Sequence, residues 1–135
     1  MYPYRYAVAQ VRNRCQPLPA ELLALDRDQI SRLGSKQAAR EAIGFLSRST
    51  GPQDGFWIHL DADVLDASIM WAVDDPRPHG LQWRDLEEIL HVAVGSGRAV
   101  GLQLTIYNPD MESDGACGRG LAATVADVLA QFADT

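Results

Sequence analysis

The sequence predicts a three-layer αβα fold built on a mainly parallel sheet, and three features predict it. Short apolar runs alternate with amphipathic stretches of helical period, as successive βα units require. The run Phe56 to Leu60 is nearly continuously apolar, as in a strand buried on both faces. Three aspartates, Asp61, Asp63 and Asp66, follow it directly, and open α/β sheets bind ligands beyond the carboxyl ends of their strands.

Taken in order, Tyr6 to Arg12 alternates weakly and reads as a strand, stopped by Asn13 and Pro17-Leu-Pro19. Ala20 to Leu25 reads as a short helical turn. Ser35 is placed to cap a helix running to about Ser49, with Ala39, Ala42, Ile43 and Leu46 on one side. Thr50-Gly-Pro-Gln-Asp-Gly55 breaks the chain before the apolar strand. A long loop from Val64 to about Gln82 follows, turned by Pro76, Pro78 and Gly80. Leu86, Ile89, Leu90, Ala93 and Val94 then mark one face of a helix from about Arg84 to Val94, which Gly95 and Gly97 end. Ala99 to Tyr107 is a second strong strand, stopped by Asn108-Pro109. The acidic, glycine-rich stretch to Arg119 reads as a solvated loop, and Leu121, Val125, Val128, Leu129 and Phe132 as the stripe of a last helix.

A chain of 135 residues is sized for one domain, residues 1–135. No apolar run is long enough to span a membrane, and the first residues lack the basic and apolar regions of a secretory signal, which points to a cytoplasmic protein. Cys15 and Cys117 are far apart and outside any C-x-x-C pair, against a structural disulfide or zinc site. A net charge of −6, with one lysine and no basic cluster, argues against a nucleic-acid partner.

The carboxylates admit a bland and a chemical reading. A D-x-D-x-x-D after a strand can be a solvated turn or a helix cap. If the backbone stays extended through Ala62, however, Asp61 and Asp63 share a face and aim at one point. Their repulsion is then relieved by a divalent cation, and oxygen donors favour Mn²⁺, Mg²⁺ or Ca²⁺. An EF-hand beginning at Asp61 fails, because Asp66 and Ala72 stand where that loop needs Gly and Glu. A phosphatase forming an aspartyl-phosphate needs a downstream lysine, whereas Lys36 lies upstream.

Several motifs in order carry a more specific likeness. WIHLDADVLD, the loop ending AVDDPRPHGL, the helix RDLEEIL and the strand-stop AVGLQLTIYNPD together resemble the C-terminal half of the arginase/agmatinase/formiminoglutamase, or ureohydrolase, family. The resemblance implies an arginase-like αβα fold present in part. It also implies a binuclear manganese centre whose hydroxide attacks the carbon of a guanidino or amidine substrate. At the family's positions, Asp61 and Asp63 are metal ligands and Asp66 lies behind them in support; His59 shares a strand face with Asp61 and is placed to support it by a hydrogen bond or to ligate. Asp75 and His79 fall in the substrate loop.

The departures are as informative. The chain lacks the G-G-D-H and D-A-H-x-D motifs from which the family draws most of its metal ligands. Ala67 and Trp71 replace family prolines, Asp75 the Thr of a G-T-P pattern, and His79 one Gly of a G-G-L turn. Ile106 stands where many ureohydrolases carry a guanidinium-binding Glu, and Gln103 at an acidic position of the same strand. The chain therefore reads as inactive alone, with manganese bound weakly or not at all.

Further expectations are structural. His59 reads as a partly buried, satisfied histidine, Met70 and Trp71 as loop anchors on the core, and Trp57 and Trp83 as core residues. A few strands from the middle of a larger parallel sheet would expose an apolar edge. A homo-oligomer, or a partner chain supplying the missing strands, is the expected cover. The alternative is a non-catalytic interaction module that keeps the half-fold for assembly.

Overall fold

The computed structural model describes residues 6–10, 19–48 and 54–133. Cys15, the Pro17 punctuation and most of the break at residues 50–55 lie outside these. The strands form two parallel pairs. β1 (Tyr6–Gln10) lies beside β2 (Leu22–Asp26), and β3 (Phe56–Asp61) beside β4 (Ala99–Thr105). Helices α1 (Arg27–Leu33) and α2 (Ser35–Ser47) connect the pairs, α3 (Trp83–Gly95) is the crossover from β3 to β4, and α4 (Ala116–Ala130) follows. Parallel neighbours need such crossovers, because no hairpin can join them.

Residues 22–26 form a strand rather than a helical turn. Leu22, Leu23 and Leu25 fit either period over so short a window, and pairing with β1 decides it. Helix α1 starts at once, because Asp26 and Gln29 make a reciprocal cap: Asp26 Oδ1 accepts the Gln29 N–H and Gln29 Oε1 accepts the Asp26 N–H, both at 2.9 Å. Ser35 does not cap α2. Gly34, at φ 83°, takes that place, and Ser35 is the first helical residue, buried, with Oγ donating to Asp85 Oδ1 at 2.7 Å. Asp85 also accepts the Gln82 N–H at 2.9 Å and lies 3.7 Å from the Arg27 guanidinium. One carboxylate thus ties together the starts of α1, α2 and α3.

The core is built from Leu60 of β3, Leu86 and Leu90 of α3, Leu121 and Val128 of α4, and the long loop. Leu65, Met70, Ala72 and Val73 of that loop are at most 1% exposed, so residues 64–82 are packed structure rather than a surface excursion. Leu65 bridges Leu81, and the Asn108 N–H donates to Ala72 O at 2.9 Å, fastening the end of β4 to the loop. Met70 anchors the loop as expected, whereas Trp71 is 41% exposed.

Two further expectations fail on exposure. Trp57 is 61% exposed, so β3 is not buried on both faces. Ile58, Leu60 and Leu102 face the helices, while the face bearing Trp57 and His59 is open. The chain presents the sheet of an αβα sandwich with that face uncovered among the described residues.

The acidic stretch after Asn108 is also more than a solvated turn. Helix α4 begins at Ala116, and Glu112 accepts hydrogen bonds from Tyr107 OH at 2.6 Å, the Cys117 N–H at 2.8 Å and the Gly118 N–H at 3.0 Å. It supplies the acceptor that the first turn of a helix lacks. Burial alone would raise the carboxyl, but these donors outweigh it and hold Glu112 at about 2, below its ordinary 4.5. The same bond pushes Tyr107 up to about 12.

A depressed carboxyl contributes stability above its unfolded value and loses it as pH falls toward the folded one. Glu112→Gln should therefore lower the unfolding midpoint at pH 7, with the deficit against the parent shrinking between about pH 4.5 and 2. Urea unfolding across that range checks it, and a deficit independent of pH would contradict the assignment.

Candidate functional site

The register of β3 on β4 sets Trp57 opposite Gly101, His59 opposite Gln103, and Asp61 opposite Thr105. Strand alternation puts all six on the open face. Gly101 is required there, since the Trp57 ring lies where a side chain at position 101 would sit. His59 Nε2 is 2.9 Å from Asp61 Oδ1, its Nδ1 is 3.3 Å from Gln103 Oε1, and Thr105 Oγ1 donates to Asp61 Oδ1. The His59 and Asp61 side chains are 53% and 48% exposed, so His59 is satisfied by hydrogen bonds, as expected, but is more exposed than the partly buried histidine expected. The Thr105 hydroxyl, opposed by partial burial and aided by His59, keeps Asp61 below the ordinary carboxylate range. Asp61 therefore offers an ionised carboxylate at the carboxyl end of a strand.

The extended backbone stops at Asp61. Residues Ala62–Val64 form a single 3-10 turn, so strand alternation does not aim Asp61 and Asp63 at one point. Ala62 is fully buried and steers the chain into the core at that step. The turn carries Asp63 out of the strand, so of the two carboxylates only Asp61 is placed by strand register.

Asp66 fastens that loop. Its Oδ1 accepts from the Ser68 N–H at 2.9 Å and the Ser68 hydroxyl at 2.6 Å, and its Oδ2 from the Gly80 N–H at 3.1 Å. The Ser68 hydroxyl and N–H, with Gly80, hold its carboxyl below the usual range. Gly80 is buried against the backbone of Leu65 and Asp66, where a Cβ would meet backbone atoms at 2.5 Å. Only glycine fits so close an approach.

The two substrate-loop residues lie on the surface. Asp75 Oδ2 receives both Arg77 Nε at 2.9 Å and a terminal guanidinium nitrogen at 2.5 Å, so its charge is already met within the loop. His79 is exposed and has φ 65°, a left-handed conformation that favours glycine. Ile106 has φ 75° directly after β4 and is 42% exposed. A β-branched residue there is strained, and such strain persists only where the surroundings impose it.

The donor set falls short of a binuclear manganese centre. Manganese prefers six oxygen-rich ligands in octahedral geometry. Among the described residues, no group of three or more His, Cys, Asp or Glu side chains could hold a metal ion. Cys117 is buried and free, its thiol pushed up by burial, and takes no part in the site. Thr105, which governs Asp61, escaped the sequence reading because only the strand register brings it opposite.

The arrangement is a half-exposed carboxylate at the carboxyl end of a parallel strand pair, on a sheet face left uncovered among the described residues. The Arginase family model matches residues 17–131, and the chain belongs to that family. It is 31% identical over 93 residues to a formimidoylglutamase of Enterobacter sp. (strain 638), an alignment covering 69% of this chain and 30% of that protein. Proclavaminate amidino hydrolase from Streptomyces clavuligerus superposes with a TM-score of 0.72 at 18% identity, covering 93% of this chain and 40% of that one. Trypanosoma cruzi formiminoglutamase, solved with Mn²⁺, gives 0.70 at 20% identity over 83% of this chain and 36% of its own. The chain thus spans 30–40% of the length of these three relatives. No described helix is long and apolar enough to cross a membrane.

Replacing the Thr105 hydroxyl by a methyl removes the main cause of the low Asp61 carboxyl. Thr105→Val should raise the Asp61 midpoint toward 3.8, read by carboxyl NMR titration, with Asp66 unchanged. An unmoved Asp61 would show that another group sets its charge.

Proposed function

We propose that this chain is one portion of a manganese-dependent hydrolase of guanidino or amidine C–N bonds, contributing Asp61 and Asp63 to a metal site that a second chain completes. The observation that carries the reading is Asp61 itself, held ionised on an uncovered sheet face at the end of β3. Membership of the Arginase family and the Mn²⁺ in the Trypanosoma relative support the choice of metal and bond. Asp66 supports this side of the site indirectly, by keeping residues 64–81 folded beneath it.

The isolated chain does not hydrolyse such substrates on this reading. Two carboxylates supply too few donors, and Ile106 offers a guanidinium neither charge nor acceptor. What the chain's own residues do is limited and specific: Thr105 and His59 hold Asp61 charged and oriented, and Asp66 ties Ser68 to Gly80 across the loop that follows. The surrounding chain acts by assembly, as a homo-oligomer or beside a partner. A small guanidino-type molecule is the substrate class and the cytoplasm the compartment in this proposal.

A non-catalytic module is the second reading, favoured by Ile106 and by the Asp75–Arg77 pair, which occupies an expected substrate position with an internal ion pair. Calorimetry with Mn²⁺ separates the two. For a half-site, the isolated chain shows at most millimolar binding, which disappears in Asp61→Ala. Tight Mn²⁺ binding and urea release by the chain alone would contradict the proposal, and no Mn²⁺-dependent heat even in a completed complex would favour the module.

A further inference from the structure

Among the described residues the two strand pairs do not join. An apolar slot of about 190 Å³ lies between them, larger than the water-sized voids a packed interior tolerates. Which strands border it follows from the residues they contribute. β3 lines it with four consecutive residues, Phe56 to His59, and β1 with the neighbours Ala7 and Val8. Consecutive residues point to opposite faces of a strand, so only a strand that turns its edge to the slot can contribute them. β2 contributes alternate residues, Leu23 and Leu25, as a strand seen from one face does. β4 contributes none. The order is therefore β2, β1, slot, β3, β4, with β1 and β3 each presenting an edge that their own partners do not pair.

The floor of the slot is a helical layer. Ala38, Ala39, Ala42, Ile43 and Leu46 of α2, with Ile89 and Ala93 of α3, form it. Its small side chains leave depth for bulky aliphatic ones descending from above. The positions of the two pairs match an intact protein, since one solved relative superposes on 93% of this chain while more than half of its own length has no counterpart here. Family sequence with no counterpart in these 135 residues is thus available in the relatives to occupy the space.

We propose that the slot receives a single β-strand of arginase-family sequence with no counterpart in these 135 residues, supplied by a second polypeptide. The strand runs parallel to β3, pairs with β1 on one side and β3 on the other, and sets alternate aliphatic residues onto α2 and α3. Its carboxyl end then lies beside His59 and Asp61, where added donors would complete the site. This deepens the completed-hydrolase reading by naming where the second chain enters, and its test reads contact rather than metal or urea.

The probe is the portion of the Enterobacter formimidoylglutamase that this chain does not match, co-expressed with the full chain. A photo-cross-linking phenylalanine analogue is placed at Val8, at Trp57, or, as a control, at Arg84 on the outside of α3. The expected result is cross-links from Val8 and from Trp57 to one and the same short segment of the probe, with none from Arg84. Ala42→Trp, which fills the floor, should abolish both. No complex, cross-links to separate segments, or cross-links to a second copy of this chain would each overturn the proposal. The Val8 and Trp57 positions are exposed, so their outcome does not depend on whether Ala42→Trp folds.

Discussion

A parallel strand satisfies its backbone only through neighbours on both sides, and among the described residues the edges of β1 and β3 that border the slot have none. Each unpaired backbone group in an apolar setting costs on the order of 1–3 kcal/mol. The rest of the structure arranges itself around that gap. β3–β4, the packed loop and α3–α4 share one continuous core centred on Leu60, Leu65, Met70, Leu86 and Leu121. β1–β2 reaches that core through Leu25, Ile30 and Ala38, by way of helices rather than strand pairing. The described residues therefore have a well-buried side and a side whose facing strand edges are unpaired among them.

The polar chemistry follows the same division. Groups within the finished side are fully met: Asp66 by Ser68 and Gly80, Glu112 by Tyr107 and the start of α4, and Asp85 by Ser35 and Gln82. These are structural carboxylates, each with donors that fix a turn or a helix start. His59 and Asp61 differ in being half exposed, on a face without a covering layer and next to the slot. A catalytic site assembled across the junction of two chains would be built from such residues.

The elements whose period is long enough were legible before the structure. The α3 stripe, the β3 and β4 runs and the motifs around Asp61 and Asn108 each extend over enough residues to separate strand from helix. β2 was not legible, because Leu22-Leu23-Ala24-Leu25 is too short to show a period, although the Asp26 and Gln29 cap just after it marks a helix start. The exposure of Trp57 was hidden for another reason. An apolar strand looks buried on both faces when its sequence belongs to a larger sheet, whether or not the covering chain is present. Asp61 and Asp63 were recognisable by motif, but the 3-10 turn at Ala62 and the partner Thr105 depend on tertiary register.

That the sheet is interrupted between β1 and β3 is the claim on which the account rests, and native-state hydrogen exchange of the isolated chain tests it most directly. Exchange should divide the molecule. Amides of β3, β4, α3 and α4 would exchange only through global unfolding, and those of β1 and β2 through a separate opening of lower free energy. Equal protection of both strand pairs would mean that they form one continuous sheet and would contradict the account.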